Sequence, residues 1–117
     1  MEGTNRRAEA LALLGLARRA GALVQGTEAT RECLRSGKAE LVILAEDGSE
    51  TQRRKVLPLA RAREVPLVFL GGRVELGAAL GAGPLSAVAV TGASLARELK
   101  ERLQQEARTG GGSAQRR

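Results

Sequence analysis

The sequence predicts an α/β fold, a three-layer α-β-α sandwich with a small mixed four-stranded sheet. Three observations predict it. Four short apolar runs recur along the chain, at 23–25, 41–45, 67–70 and 87–90. Segments with helical spacing separate them, and glycine or proline punctuates the joints. The run Leu41-Val42-Ile43-Leu44-Ala45 does not alternate with polar residues, as expected of a strand covered on both faces.

The elements follow in order. Thr4 or Asn5 is placed to cap a first helix reaching about Ala20. Leu11, Leu14 and Arg18 share one stripe of it, Leu13, Leu16 and Ala17 widen its apolar side, and Gly21 stops it. After the short strand Leu23-Val24-Gln25, Thr27 is expected to cap a second helix that runs to about Ser36 and ends at Gly37. Glu46-Asp47-Gly48 turns the chain after the second strand. Ser49-Glu50-Thr51-Gln52 has the form of a capping box and starts a third helix. Pro58 implies a kink or a late start there, because proline lacks a backbone donor and crowds the turn before it. Leu67-Val68-Phe69-Leu70 reads as another buried strand, broken by Gly71-Gly72. A short helix from Arg73 to about Leu80, the loop Gly81-Ala82-Gly83-Pro84 and the strand Ala87-Val88-Ala89-Val90 come next. The last helix is expected to start between Thr91 and Ser94 and to reach about Arg108. One domain over 1–108 and a flexible basic tail over 109–117 account for the chain.

Composition limits the chemistry. There is no histidine, and Cys33 is the single cysteine, so neither a zinc site nor an internal disulfide is expected. Cys33 falls in the second helix, where a packed thiol is the ordinary role. No nucleophile–base pair, metal set or phosphate-cradling glycine motif is present, which argues against an enzyme and against any cofactor. Phe69 is the only aromatic residue, which disfavours single-strand binders that stack bases on aromatic platforms. No apolar run is long enough for a membrane span, and the start of the chain has no signal-peptide pattern, so a cytoplasmic protein without membrane contact is expected.

Charge points to a partner. The net charge is +6, carried by 16 arginines and only 3 lysines. Without Arg116 and Arg117 the remainder still holds +4, so the excess belongs mainly to the domain. One reading is a solubilising surface. The other is a phosphate-binding face, since guanidinium groups match phosphate geometry. Gly26-Thr27-Glu28 reads either as an ordinary helix cap or as an anion-binding helix start with free amides. Arg53-Arg54-Lys55 reads as a solvated face or as a phosphate anchor beside the Glu46-Asp47-Gly48 turn. Gly71-Gly72-Arg73 is a simple turn or a place where RNA approaches the backbone closely.

These same residues carry a resemblance. Leu14-Gly15-Leu16-Ala17-Arg18-Arg19-Ala20-Gly21, then Gly26-Thr27, then the block from Gly37 to Asp47 resemble the archaeal L-seven-Ae and eukaryotic L-thirty ribosomal-protein family. They look in particular like its small bacterial YlxQ-like branch. Val65-Pro66-Leu67, Glu75-Leu76-Gly77 and Gly81 agree, and the likeness covers about residues 8–104. It implies an α-β-α sandwich that binds structured RNA such as a kink-turn or ribosomal RNA. An accessory role in translation or ribosome biogenesis, with the ribosome or translation factors as partners, is the function expected of such an RNA binder.

Two contact regions carry over from the family. At the second-helix start they are Gly26, Thr27, Glu28, Ala29 and Glu32. At the later loop they are Gly71, Gly72, Arg73 and Val74, with Ala45, Glu46 and Asp47 nearby. RNA-binding members usually have Asn-Glu where this chain has Glu28-Ala29, and lysine where it has Glu32. Arg31 and Arg35 lie on the neighbouring stripe and can supply the charge, as can Arg53 and Arg54. A protein-interaction module on the same fold, with Ala29 and Cys33 contributing an apolar patch, is the alternative. A monomer is expected.

Overall fold

The computed structural model describes residues 2–103. Helix α1 (Glu2–Arg19) leads into β1 (Leu23–Gln25), α2 (Thr27–Arg35), β2 (Leu41–Leu44), α3 (Glu50–Ala62), β3 (Leu67–Phe69), α4 (Arg73–Ala79) and β4 (Ala87–Val90). A further helix, α5, covers 93–103. The strands form one four-stranded mixed sheet in the order β1-β4-β2-β3. Strand β4 is antiparallel to β1 and to β2, and β3 is parallel to β2.

The two central strands explain the layering. Every residue of β2 and β4 is buried. Successive strand side chains point to opposite faces, so each central strand feeds two cores. Leu41, Ile43, Val88 and Val90 meet Ala10 and Leu14 of α1, Leu76 of α4, and Ala96 and Leu99 of α5. Val42, Leu44, Ala87 and Ala89 meet Cys33 and Leu34 of α2, and Val56 and Ala60 of α3. Helices therefore cover both faces of the sheet, as the unbroken apolar runs predict. Burial pushes the Cys33 thiol above its ordinary pKa, against a smaller opposing pull from Lys38.

Several local expectations need correction. Helix α1 starts at Glu2, so Thr4 and Asn5 lie inside it and do not cap it. The N-cap of α2 is Gly26, not Thr27, which is the first helical residue. Ser49 does cap α3, its Oγ accepting from the Gln52 N–H at 3.1 Å. Helix α3 then runs through Pro58 with no late start. Arg54 and Pro58 both face solvent, where water can satisfy the carbonyl that proline leaves without a donor.

Strand β3 is an edge strand and not a buried one, with Phe69 42% exposed. Leu16 leaves the apolar side of α1 and is 48% exposed. Cys33 sits inside the core and contributes nothing to a surface patch. Helix α5 begins at 93, with the Gly92 carbonyl accepting from the Ala96 N–H at 2.9 Å. Its expected end near Arg108 and the tail over 109–117 lie outside the described residues. Among the described residues, no helix is long and apolar enough to cross a membrane.

Gly77 fixes the route from α4 to β4. It is buried in α4, and its carbonyl accepts from the Leu80 and Ala82 N–H groups at 3.0 and 2.8 Å. The loop folds back over it so closely that an added Cβ would strike the Gly83 carbonyl and stand 2.9 Å from the Ala82 oxygen. In an open helix, replacing glycine with alanine gains about 0.5–1 kcal/mol. Here the obstacle is backbone, which cannot swing aside. Gly77→Ala is therefore expected to destabilise the fold by about 1–3 kcal/mol, read as a lower midpoint in urea with an unchanged slope.

Candidate nucleic-acid interface

Strand directions bring the predicted site residues to one end of the sheet. Since β4 opposes both β1 and β2, and β3 follows β2, strands β1, β2 and β3 all point the same way. Their carboxyl ends meet beside the amino end of β4, where Leu44 pairs with both Phe69 and Ala87. The α2 start, the 45–49 turn, the 70–72 loop and the 81–86 loop all lie at this end. In open α/β sheets, ligands bind outside the carboxyl ends of the strands.

Gly26 opens α2 with φ 105° and ψ 155°, a backbone region that is essentially restricted to glycine. Its N–H donates to the Ala87 carbonyl at 2.8 Å, and its carbonyl accepts from the Thr30 N–H at 2.9 Å. No side chain caps the helix. The first amides of α2 therefore have no intrahelical partner and no cap. A Cβ on Gly26 would meet nothing within 4 Å. Conformation, not crowding, requires the glycine. Thr27 and Ala29 are half-buried around it, and Glu28 is exposed.

The two neighbouring loops are tied to each other. The Glu46 N–H donates to the Gly71 carbonyl at 2.7 Å. Asp47 Oδ1 accepts from the Arg73 N–H at 2.8 Å, and its carboxylate lies 3.6 Å from Arg73 Nε. Gly72, the N-cap of α4, has no side chain, so Asp47 caps that helix from 26 residues away. The open sides of Gly71 and Gly72 face Glu75 and Asp47, which gives this pair an internal packing role. Arg7 of α1 reaches Glu46 at 3.7 Å and Glu75 at 3.5 Å. Arg53 donates to the Glu46 carbonyl at 2.9 Å and stands over the Phe69 ring at 5.4 Å. Each exposed ion pair is worth at most about 1 kcal/mol. Their effect is to fix the loops and to balance the carboxylates of Glu46, Asp47 and Glu75 with arginine.

The structure thus gathers Gly26, Thr27, Glu28, Ala29, Glu46, Asp47, Arg53, Gly71, Gly72, Arg73 and Val74 at one end. Val74 is 70% exposed there. It does not bring Arg31, Glu32, Arg35 and Arg54 to the same place. Those lie further along α2 and α3, where Glu28 pairs with Arg31 at 4.0 Å, Glu32 with Arg35 at 3.4 Å and Glu50 with Arg54 at 2.8 Å. Sequence reasoning missed the 81–86 loop, which reaches this end through the Leu85 N–H bond to the Arg73 carbonyl at 3.1 Å and the Ser86 carbonyl bond to the Ala45 N–H at 2.9 Å. Pro84 beside two glycines signals a loop, but not where it lands. It also missed Phe69, the one aromatic side chain, which this end leaves partly in solvent.

Comparison with known proteins places the chain among relatives of the same fold. The model of the ribosomal protein L7Ae/L30e/S12e/Gadd45 family matches residues 8–100. The chain is 34% identical over 98 residues to the RNA-binding protein YlxQ of Enterococcus faecium, covering 84% of this chain and 94% of that one. It is 36% identical over 87 residues to the RNA-binding protein YlxQ of Bacillus subtilis, covering 74% and 87%. Among solved structures, a Bacillus halodurans protein of unknown function superposes with a TM-score of 0.79 at 32% identity, over 83% of this chain and 98% of that one. The Giardia lamblia 15.5kD RNA binding protein superposes with a TM-score of 0.71 at 28% identity, over 86% and 87%.

Asp47 joins the two loops by a single carboxylate. Asp47→Ala is expected to cost about 1 kcal/mol, the usual effect of losing a helix cap. The Arg73 amide should then exchange with deuterium faster, while amides in β2 and β4 keep their protection.

Proposed function

Because the chain belongs to the ribosomal protein L7Ae/L30e/S12e/Gadd45 family, we propose that it binds structured RNA without catalysing a reaction. The observation that carries this reading is the uncapped, glycine-opened start of α2, set beside the 45–49, 70–72 and 81–86 loops on one end of the sheet. Amides at a helix start donate to phosphate or to base edges, and the helix dipole favours negative charge there. The names of the relatives point the same way, since two are called RNA-binding protein YlxQ and a third is a 15.5kD RNA binding protein.

The target is a kink-turn-like element or a segment of ribosomal RNA. The protein acts as a monomeric, cytoplasmic accessory of the ribosome, of its biogenesis or of translation. Gly26, Thr27, Glu28 and Ala29 form the first contact region, and Gly71, Gly72, Arg73 and Val74 the second. Glu46, Asp47 and Arg53 act mainly by holding the second region in place. Glu28 is a poor phosphate ligand and serves as a base-edge acceptor. With no lysine at position 32, shape and backbone contacts outweigh side-chain readout. The domain extends over 1–108, and the basic residues of the 109–117 tail add attraction to RNA.

A titration tests this. Fluorescently labelled kink-turn RNA, a straight RNA duplex of equal length and a single strand are each bound at several salt concentrations. The kinked RNA is expected to bind at least about tenfold more tightly than the others, with log K falling by about 0.7–0.9 per contacted phosphate as log salt rises. Gly26→Val, which cannot hold the α2 start in place, should weaken it by about tenfold or more, the loss of one charge-assisted contact. Equal affinity for all three RNAs would contradict a structured target, and no binding at low salt would contradict RNA binding altogether.

A further inference from the structure

Helices α2 and α3 follow β1 and β2, which point the same way, so both helices start at the proposed RNA-binding end and run away from it side by side. An open groove of about 630 Å³ lies between them. It is lined by Arg31 and Arg35 from α2 and by Arg54, Lys55, Pro58 and Leu59 from α3. Three of these cations have a glutamate near them, yet the groove is not saturated. Arg31 Nε is buried without a hydrogen-bond partner among the described residues, and Glu28 stays 4.0 Å away. Lys55 has no ion-pair partner among the described residues.

We propose that this α2–α3 groove holds the sugar–phosphate backbone of the RNA as it leaves the helix-start site. The inference rests on the RNA-binding reading above and extends it to a second surface. Charge and continuity select this occupant. Thr27 and Arg31 stand one turn apart on the same side of α2, and Arg35 follows by another turn, so cations continue from the open amides at about 6 Å intervals along the axis. Arg54 and Lys55 face them from α3. A phosphate strand offers evenly spaced anionic oxygens to both helices, and arginine holds such oxygens in a planar fork. The groove thus supplies affinity along the strand, and the sheet end supplies the recognition of shape.

The test uses the full chain and two labelled RNAs: a kink-turn hairpin, and the same hairpin with one stem extended by a helical turn. Arg35→Gln, Arg54→Gln and Lys55→Gln are combined in one variant, since all three side chains are exposed and their loss leaves the core intact. Against the extended RNA, the variant is expected to bind about tenfold more weakly, with its salt slope reduced by about 2.1 to 2.7. Against the short RNA it should match the unmodified protein. Thermal unfolding at an unchanged midpoint shows that the fold is intact; for added security, Lys55→Gln alone should shift the slope in the same direction. Identical affinity and slope on both RNAs would overturn the groove while leaving the helix-start site standing. Binding of neither RNA by the unmodified protein would overturn both. Labelled polyglutamate is titrated alongside; if the variant loses polyglutamate binding while both RNAs bind it as before, the groove belongs to an acidic peptide and the proposal is overturned.

Discussion

Two backbone hydrogen bonds at the beginning of β4 hold the candidate interface together. Gly26 donates to Ala87 from one side, and Ala45 donates to Ser86 from the other. Strand β4 is antiparallel to both neighbours, so its first residues stand between the start of α2 and the turn that follows β2. The third loop joins through Glu46 and Gly71, and the fourth is the stretch that leads into β4 itself. Each bond adds only about 1 kcal/mol of net stability. Their larger consequence is positional, because they align segments far apart in the sequence on a rigid buried sheet.

The charges near this end divide into two groups with different uses. Around the loops, Arg7, Arg53 and Arg73 stand against Glu46, Asp47 and Glu75, so that region is locally balanced in charge. The open attraction for anions comes instead from the uncapped amides of α2 and from the cations between α2 and α3. On the proposed reading, a balanced loop set would read the shape of a ligand without dragging in every polyanion, while the basic groove would add strength that salt can screen. Glutamate at positions 28 and 32 fits this division, since each tempers an arginine one turn away.

The sheet and its layers were legible because every residue of β2 and β4 is apolar and both strands feed two cores. The order of the strands was not legible, since local pattern carries no information about which run lies at an edge. Phe69 illustrates the loss: its neighbours Val68 and Leu70 are apolar, yet β3 is an edge strand and the ring meets solvent and Arg53. At the site, the glycine-to-helix step is plain in the sequence, but threonine is the commoner cap, so the sequence favours Thr27. The actual cap is set by a φ angle that sequence does not display. The Asp47–Arg73 bond spans 26 residues and leaves no local trace, so Asp47 looked like a turn acid and not like the cap of α4. Arg54 looked like part of one cluster with Arg53, although helix geometry turns the two to different surroundings.

The central claim is that open amides at the start of α2 meet RNA at the carboxyl end of the sheet. Backbone amide chemical shifts, followed by NMR as a kink-turn RNA is added, test it most directly. The account predicts that Thr27, Glu28 and Ala29 shift most, with residues 71–74 and 82–86 moving alongside them and α1 unaffected on its outer face. Shifts that spare the α2 start while clustering elsewhere would contradict it.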